Sequence, residues 1–377
     1  MSKRILISTQ VFPPMTSGSA VILYELLRHL PQDDLVAVHG VGDPPLMNGP
    51  SLEMERHMAL VLGSYTWTIR CHRRCPQFYV PLIRRALKHW AKAHAVQRIY
   101  AHFPSSAFLV AAFQAAESLD LPLTVYFDIL WNELPECDMR MARKYERRIL
   151  ERADSRFAIT EFAADFLTKK HGLPVDFLPH TIDLANKVEG FQAISDNARP
   201  TIHFCGGIYP VMNQAEIVRL LDAAGRAKSR PEIDLFAPDL PAELRQRGVQ
   251  ARYLPRGELR AAQRRSTIQF LPMAFHSSRP LTIQHNFPTK AMEYLCSGRP
   301  ILVHAPADCY LTWLAKKEGF ALVVDRPDTE ELAAAIDRLV ADTQLQEELV
   351  TRALKFVDTR GSRQWANVLW KALGDGN

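Results

Sequence analysis

Two charged residues near the start of a short predicted helix could hold a phosphorylated ligand. Residues 285–303 read HNFPTKAMEYLCSGRPILV, which predicts a polar loop, a helix and then an apolar strand. Lys290 and Glu293 are three residues apart and therefore share one face of the helix. Lys290 can contact a diphosphate, and the Glu293 carboxylate can accept hydrogen bonds from two neighbouring ribose hydroxyls. The pattern fits a nucleotide site, although a surface ion pair would show the same spacing.

Two loops that lead into predicted helices could bind phosphate or sugar oxygens through backbone N–H groups. In HNFP, Asn286 or Thr289 could cap the helix that follows. In FPPMTSGSA, Gly18 stands just before the first helix and would let a ligand approach the backbone. This second loop lacks the G-x-G-x-x-G spacing of a dinucleotide site, which argues against a nicotinamide enzyme.

A histidine and an aspartate lie at the ends of two further predicted strands. IYAHFPSS places His102 just beyond a strand end, and VYFDILW places Asp128 similarly. Each residue alone could be a structural polar group that caps a helix. Because the strands are expected to be neighbours that end at one edge of a sheet, the two side chains together become a candidate substrate site.

Strands that alternate with helices along the chain predict an α/β fold with parallel sheets. A chain of 377 residues is long enough for two domains. Apolar periodicity lapses near residues 185–200, which predicts a linker, and the alternation then restarts. We expect domains at residues 1–185 and 200–358, a ligand cleft at the carboxyl ends of their strands, and a final helix within 359–377. The strands expected in the second half are TIHFCGGI, EIDLFAP, ARYLP, TIQFLPM, PILVHA and ALVVD.

The net charge of +5 is unevenly distributed. Residues 56–116 contain no Asp or Glu, which indicates either a basic face for an anionic partner or a solvated surface balanced by acids elsewhere. Within this interval, PLIRRALKHWAKAH predicts a helix whose apolar stripe contains Leu82, Ile83, Leu87 and Trp90. Such a helix could lie at a membrane surface. Packing against the core with snorkelling cations is favoured, because core-facing helices are common.

The composition and the apolar runs argue against a membrane-spanning protein and against a secreted protein. The chain is 47% hydrophobic and 23% charged, as in ordinary globular proteins. No apolar run approaches the roughly 20 residues that span a bilayer, and the apolar segment at the start is too short for a signal peptide. We therefore expect a cytoplasmic protein with reduced cysteines, and neither a cysteine cluster nor an acidic D-x-D motif indicates a metal site.

Taken together, these segments resemble the retaining GT-B glycosyltransferases of family 4. ILISTQVFPPMTSGSAVILYELLRHL is similar to their first strand, acceptor loop and first helix, and FPTKAMEYLCSGRPILV is similar to their donor-site signature. IYAHFP and VYFDILW resemble the strand ends that carry their sugar-site histidine and a following aspartate. The matches span nearly the full length in the expected order. The resemblance implies a GT-B architecture, with two Rossmann-like parallel-sheet domains that face each other across a cleft.

The resemblance also implies roles for individual residues. Glu293 would hold the nucleotide ribose, His102 would lie beside the transferred sugar, and Gly18 would lie near the diphosphate and the acceptor. His285 stands where the family usually has a second glutamate, and CGGIYPVMNQAE lacks the arginine and lysine that usually hold the diphosphate. The missing charge could come from Lys290, Arg256 or Arg279. The residues predicted to bind the nucleotide sugar are Gly18, Gly207, Arg256, His285, Asn286, Phe287, Thr289, Lys290 and Glu293, and the predicted catalytic residues are His102 and Asp128.

The sequence thus predicts a hexosyltransferase that uses a nucleoside-diphosphate sugar, with UDP or GDP favoured, and that needs no metal or cofactor. The acceptor remains open between a glycan, a lipid-linked sugar, a small molecule and a nucleic acid. The basic residues of 56–116 leave open a contact with the inner face of the membrane. The main alternative is an inactive GT-B relative that binds nucleotide sugars or serves as a partner subunit. An epimerase of similar shape is a third hypothesis, which no residue favours.

Overall fold

Parallel strands and helices fold the chain into two compact α/β units. The computed structural model describes residues 3–40, 47, 49–60, 76–131, 136–193 and 199–374, without the side chains of residues 76, 136–138 and 256. Met1–Thr181 and Ser362–Asn377 form the N-terminal unit, and Ile182–Gly361 form the C-terminal unit. The predicted fold class, α/β with two parallel sheets, is confirmed.

Seven parallel strands form the sheet of the N-terminal unit. In chain order they are β1 (Ile5–Thr9), β2 (Leu35–Gly40), β3 (His57–Leu60), β4 (Arg98–Phe103), β5 (Leu123–Phe127), β6 (Ser155–Ala158) and β7 (Asp176–Phe177). Their spatial order is β3-β2-β1-β4-β5-β6-β7. The strand order reverses between β1 and β4, and ligands of open α/β sheets bind beyond the carboxyl ends of the strands at such a reversal. The helices before the domain boundary are α1 (Gly18–Leu27), α2 (Val80–Ala93), α3 (Ser106–Leu119), α4 (Glu136–Arg152) and α5 (Glu161–His171).

Five parallel strands form the sheet of the C-terminal unit. They are β8 (Thr201–Cys205), β9 (Glu232–Phe236), β10 (Ile268–Pro272), β11 (Ile301–His304) and β12 (Ala321–Val324), in the spatial order β12-β11-β10-β8-β9. Here the order reverses between β8 and β10. The helices are α6 (Gln214–Arg226), α7 (Ala242–Gln246), α8 (Arg256–Arg265), α9 (Pro280–His285), α10 (Lys290–Cys296), α11 (Tyr310–Glu318), α12 (Thr329–Ala341) and α13 (Thr343–Asp358).

Local sequence signals explain where several of these helices begin and end. Asp328 caps α12, because its side chain accepts hydrogen bonds from the N–H groups of Glu330 and Glu331. α11 ends at Gly319, whose φ of +68° is the left-handed conformation that glycine adopts without a Cβ penalty. Buried apolar side chains on α6 and α12, including Ile217 and Ile336, then pack on the strands of the C-terminal unit.

The structure differs from the predicted local structure in one expected strand and in elements that were not predicted. ARYLP was expected to be a strand, but the structure gives it a single bridge, between Arg252 and Phe236, next to the last residue of β9. Strand β3 and helix α13 were not predicted. Two of the four residues of β3 are exposed, so its sequence lacks the apolar run by which buried strands are recognised. Within the stretch predicted to be a linker, Val188 donates a backbone hydrogen bond to Cys296 of the C-terminal unit.

The basic helix α2 packs its apolar face against the core of the N-terminal unit. Ile83 and Leu87 are buried, as core-facing packing requires, while Leu82 is 51% exposed. Arg84 and Arg85 point to solvent. Residues 61–75, which carry three further arginines of the acid-free interval, lie outside the described residues. In the part of the chain that the structure describes, no helix is long and apolar enough to cross a membrane.

The last helix, α14 (Ser362–Gly374), packs on the N-terminal unit. Its buried residues Ala366, Leu369 and Leu373 join a core that includes Leu26 of α1 and Tyr126 of β5. The chain therefore leaves the N-terminal unit after β7, completes the C-terminal unit and returns, so the N-terminal core is closed by residues from both ends of the sequence.

Truncating Leu369 should weaken the N-terminal unit. Leu369 is fully buried, so Leu369→Ala should lower the free energy of unfolding by about 2–5 kcal/mol. The matched control is Val368→Ala, because Val368 is the preceding residue of the helix and is 38% exposed. Denaturant titration of both variants would measure the difference. Equal stability of the two variants would contradict the docking of α14.

Candidate functional site

A two-glycine turn at the end of β8 forms the centre of the candidate site in the C-terminal unit. Gly206 has a φ of +106° and donates a backbone hydrogen bond to Phe236 at 2.8 Å. A Cβ atom at Gly206 would lie 3.0 Å from the Lys290 ammonium nitrogen. The glycine therefore lets the lysine side chain lie against the turn. This contact is at the carboxyl edge of β8, beside the strand-order reversal where ligands of open sheets bind.

Lys290 carries a half-buried charge that no acid of the described part of the chain balances. Its ammonium nitrogen lies 3.7 Å from the centroid of the Phe204 ring, a cation–π contact. Among the described residues, no carboxylate lies within 4.0 Å of this nitrogen, so the surface Lys–Glu pair that the spacing allowed does not form. Burial lowers the pKa of Lys290 from 10.5 to about 8, because desolvation disfavours the charged form. An approaching anion would favour that charged form again.

Buried polar side chains connect α10 to β8 beneath the lysine. The Tyr294 hydroxyl accepts a hydrogen bond of 2.9 Å from the backbone N–H of Cys205 and lies 3.5 Å from its Sγ. Burial raises the pKa of the Cys205 thiol and keeps it protonated. Burial and the nearby Lys290 charge lower the pKa of His203 to about 3, so the imidazole stays neutral. Among Lys290, His203, Cys205 and Tyr294, Lys290 is therefore the side chain that is charged at neutral pH.

Glu293 lies one turn further along α10 and is half-buried. It lines a small cavity together with Asn186, Arg260, Arg264 and Ser297, all of the C-terminal unit. The guanidinium of Arg264 donates a hydrogen bond of 3.3 Å to the backbone carbonyl of Asn186. The acid is therefore held between α8 and α10, close to the Gly206 turn, in the unit to which the sequence assigned the nucleotide.

The loop before α10 differs from its prediction. His285 ends helix α9 and is not in a loop, and its Nδ1 lies 2.9 Å from the carbonyl of Leu281. Thr289 makes no capping hydrogen bond, and the Asn286 side chain accepts from the N–H of Phe287 instead of capping α10. These side chains satisfy local backbone groups that a linear sequence does not reveal. α10 has only seven residues, so its anion-binding potential comes from Lys290 and the glycine turn.

The other residues predicted to bind the nucleotide lie in different parts of the structure, and one of them lies in the Gly206 turn. Gly207 lies in the turn itself, beside Gly206. Phe287 is buried and makes an edge-to-face contact with Tyr310, with ring centroids 6.0 Å apart, so it packs the core. The side chain of Arg256 lies outside the described residues. Gly18 is the exposed first residue of α1 in the N-terminal unit, next to the capping residue Ser17.

His102 and Asp128 meet at the ends of β4 and β5 in the N-terminal unit. His102 Nε2 lies 3.3 Å from Asp128 Oδ2, although the alignment is not that of a hydrogen bond. The prediction that His102 lies beyond its strand is wrong, because it is inside β4 and fully buried. Its ring stacks on Tyr126, which is its partner in the strand register. The sequence correctly predicted that His102 and Asp128 lie close together. It also predicted that they are accessible at the strand ends, whereas both side chains are buried.

The surroundings of this pair are apolar and closely packed. The Tyr126 hydroxyl donates a hydrogen bond of 3.1 Å to the carbonyl of Leu178. Burial raises the pKa values of Tyr100 and Tyr126 well above 10, and the nearby Asp128 charge adds to both shifts. Among the described residues, neither ring nitrogen of His102, neither carboxylate oxygen of Asp128, nor the Tyr100 hydroxyl has a hydrogen-bond partner. Unsatisfied buried polar groups are few in native proteins, and a catalytic role is one explanation for them.

Comparisons with known proteins relate part of the chain to a glycosyltransferase family. Residues 16–186 match the family model Glycosyltransferase Family 4. A search of curated protein sequences found no significant match.

Solved structures with the same fold cover nearly the whole chain. Sucrose-phosphate synthase from Thermosynechococcus elongatus has a TM-score of 0.73 at 15% identity and covers 100% of both chains. α,α-Trehalose 6-phosphate synthase from Burkholderia multivorans has a TM-score of 0.68 at 12% identity and covers 99% of this chain and 97% of its own. HepE from Anabaena, solved with UDP, has a TM-score of 0.68 at 14% identity and covers 98% and 99%. The chain therefore has the two-sheet fold of these GT-B enzymes, and its residues 16–186 are similar to glycosyltransferase family 4.

Proposed function

We propose that this glycosyltransferase moves a hexosyl group from a nucleoside-diphosphate sugar, with UDP or GDP as the nucleotide, to an acceptor. The observation that carries the proposal is the unbalanced ammonium of Lys290 against the Gly206 turn. Glu293, one helical turn away, can accept hydrogen bonds from two ribose hydroxyls. A cation for the diphosphate and an acid for the ribose therefore lie on one short helix. The UDP in the HepE structure supports the same donor class.

Lys290 would act mainly by stabilising charge in the transition state. The leaving diphosphate becomes more negative as the glycosidic bond breaks, and a fixed cation in a partly desolvated site stabilises that charge. Lys290 would thereby supply the charge that a metal ion supplies in other transferases. We further propose retention of the anomeric configuration, with the leaving phosphate helping to deprotonate the acceptor on the same face. Because the His102 and Asp128 side chains are buried, they would act as positioning residues within the N-terminal unit and would not touch the sugar directly.

The acceptor is proposed to be presented at a membrane surface. Phe78 ends a short 3-10 helix just before α2 and is 74% exposed, and Leu82 lies in the first turn of α2 and is 51% exposed. Arg84 and Arg85 are exposed on the same helix. Exposed apolar side chains beside cations are typical of a surface that binds anionic lipid headgroups. A lipid-linked acceptor is therefore favoured over a soluble glycan, a small molecule or a nucleic acid.

A catalytically inactive nucleotide-sugar binding protein is the second candidate. Two observations favour it: His285 replaces an acid expected from the resemblance, and the turn from Gly206 to Asn213 contains no arginine or lysine. Both candidates require the Lys290 site to bind a nucleotide. They differ in turnover, so release of free nucleotide from a nucleotide sugar separates them.

Glu293→Gln should weaken nucleotide binding and turnover. Loss of a charge-assisted hydrogen bond costs about 1.5–3 kcal/mol, which is a roughly tenfold to hundredfold effect. Binding of UDP, GDP, ADP and TDP would be measured by calorimetry, and nucleotide release would be measured with the corresponding sugars. Glu330→Gln is the control, because Glu330 is an exposed acid on α12. The assignment fails if both variants behave like the wild type; binding without release would support the inactive candidate.

The affinity for the nucleoside diphosphate should fall as the pH rises through the pKa of Lys290. This pKa is lowered to about 8, so the lysine is charged below that pH and becomes neutral above it. Affinity should therefore decrease roughly tenfold between about pH 7 and about pH 9. Lys290→Met should bind weakly at every pH in this range. A wild-type affinity that does not change with pH would contradict the role of the lysine.

Gly206→Ala provides an independent variant for the same prediction. The added methyl group would lie 3.0 Å from the Lys290 nitrogen on a backbone with a φ of +106°, so it should displace the lysine and reduce affinity. Gly225→Ala is the matched control, because no atom lies within 4 Å of a Cβ atom at that helical glycine. It should leave affinity unchanged.

Removing the exposed apolar pair should reduce membrane binding. The double variant Phe78→Ser and Leu82→Ser should sediment less with vesicles that contain phosphatidylglycerol, because less apolar surface enters the headgroup region. Wild-type binding should also decrease at high salt, since screening weakens the contribution of the basic residues. Val368→Ser is the control at an exposed position elsewhere. Equal sedimentation of all three proteins would contradict the membrane proposal.

A further inference from the structure

An exposed tyrosine ring lies against the second glycine of the turn. Tyr209 is 58% exposed. A Cβ atom at Gly207 would lie 2.4 Å from both the hydroxyl oxygen and the Cζ atom of Tyr209. Gly207 is therefore the residue that admits the ring, as Gly206 is the residue that admits Lys290. Two consecutive glycines let a phenol and an ammonium reach the same short turn.

The backbone of Tyr209 is held firmly although its ring is exposed. Its N–H donates a hydrogen bond of 2.9 Å to the Asn213 side chain, whose Nδ2 donates in turn to the Gly207 carbonyl at 3.2 Å. The Tyr209 carbonyl accepts hydrogen bonds of 3.1 Å from the N–H groups of Met212, Asn213 and Gln214. These hydrogen bonds fix the backbone from which the ring extends to Gly207. Packing does not account for this placement, because a half-exposed ring gains little from burial.

A diphosphate ligand would explain the position of the Tyr209 ring better than packing does. A diphosphate has more acceptor oxygens than the three donors of one ammonium group can satisfy, and the turn from Gly206 to Asn213 offers no arginine or lysine. A phenol hydroxyl is a donor that can be added without a second buried charge. We infer that Tyr209 binds the donor substrate, with its hydroxyl donating a hydrogen bond to the diphosphate that Lys290 neutralises. This inference rests on the proposed function of the Lys290 site.

The test compares Tyr209→Phe with Tyr253→Phe. Tyr253 is also on the C-terminal unit and is 61% exposed, so its variant removes a similar hydroxyl from a different surface. The wild type is first titrated with UDP, GDP, ADP and TDP, and the tightest of these is used with its parent nucleoside as a second probe. Tyr209→Phe should weaken diphosphate binding roughly tenfold to hundredfold, as expected for a hydrogen bond to a charged group. It should leave nucleoside binding unchanged, and Tyr253→Phe should match the wild type for both probes.

The outcomes separate this inference from the proposed function. If the wild type binds none of the four diphosphates, the proposed function itself fails. If the wild type binds but Tyr209→Phe and Tyr253→Phe have the same affinity, the proposed function stands and the role of Tyr209 is overturned. Equal losses for the diphosphate and the nucleoside would overturn it as well, because they would indicate a general disturbance of the loop.

A second variant tests the contact between the ring and Gly207. Gly207→Ala should push the ring away and weaken diphosphate binding at least as much as Tyr209→Phe. Adding Tyr209→Phe to Gly207→Ala should cause little further loss, since the hydroxyl has already been displaced. If the affinity of the double variant for the diphosphate falls by the product of the two single-variant losses, the inference is contradicted. Circular dichroism of each variant would establish that it is folded.

Discussion

The candidate donor site depends on one cation, Lys290, that is held partly out of water and has no carboxylate partner among the residues that the structure describes. Removing an ammonium group from water is unfavourable, and the lowered pKa of Lys290 reflects that cost. The face of the Phe204 ring offsets part of it through the cation–π contact. A structural lysine would ordinarily extend into solvent or pair with an acid. Lys290 is instead placed where it can bind an anion, and a bound anion would raise its pKa and keep it fully charged.

The sheet explains why this cation is located where it is. β8 lies between β9 and β10, so the chain crosses the sheet next to the end of β8 and leaves a crevice there. The Gly206–Gly207 turn leaves β8 at that crevice, and Lys290, the first residue of α10, lies against the turn. The Tyr294 hydroxyl connects the helix to the strand through the Cys205 N–H and thereby fixes the distance between Lys290 and the turn. The glycines matter because any side chain would occupy the space of Lys290 or Tyr209.

Much of this could be predicted from the sequence, because the signals were local. Alternating strands and helices predicted the α/β class, and the spacing of Lys290 and Glu293 predicted a shared helix face. The meeting of His102 with Asp128 followed from the parallel order of their strands. The capping role of Thr289 and the loop position of His285 were wrong, because Thr289 makes no capping hydrogen bond and His285 ends a helix, where its side chain contacts the Leu281 carbonyl. The contact of Tyr209 with Gly207 was missed, since the sequence showed the double glycine but not which side chain covers it.

The most direct test of the central claim is a measurement of the pKa of Lys290 by NMR, with isotope-labelled lysine, in the free protein and with a bound nucleoside diphosphate. Lys290→Met assigns the signal. The account predicts a pKa of about 8 in the free protein, and a clear increase when the diphosphate lies beside the ammonium group. A pKa that remains the same after the nucleotide has bound would show that the diphosphate lies elsewhere, and would contradict the account.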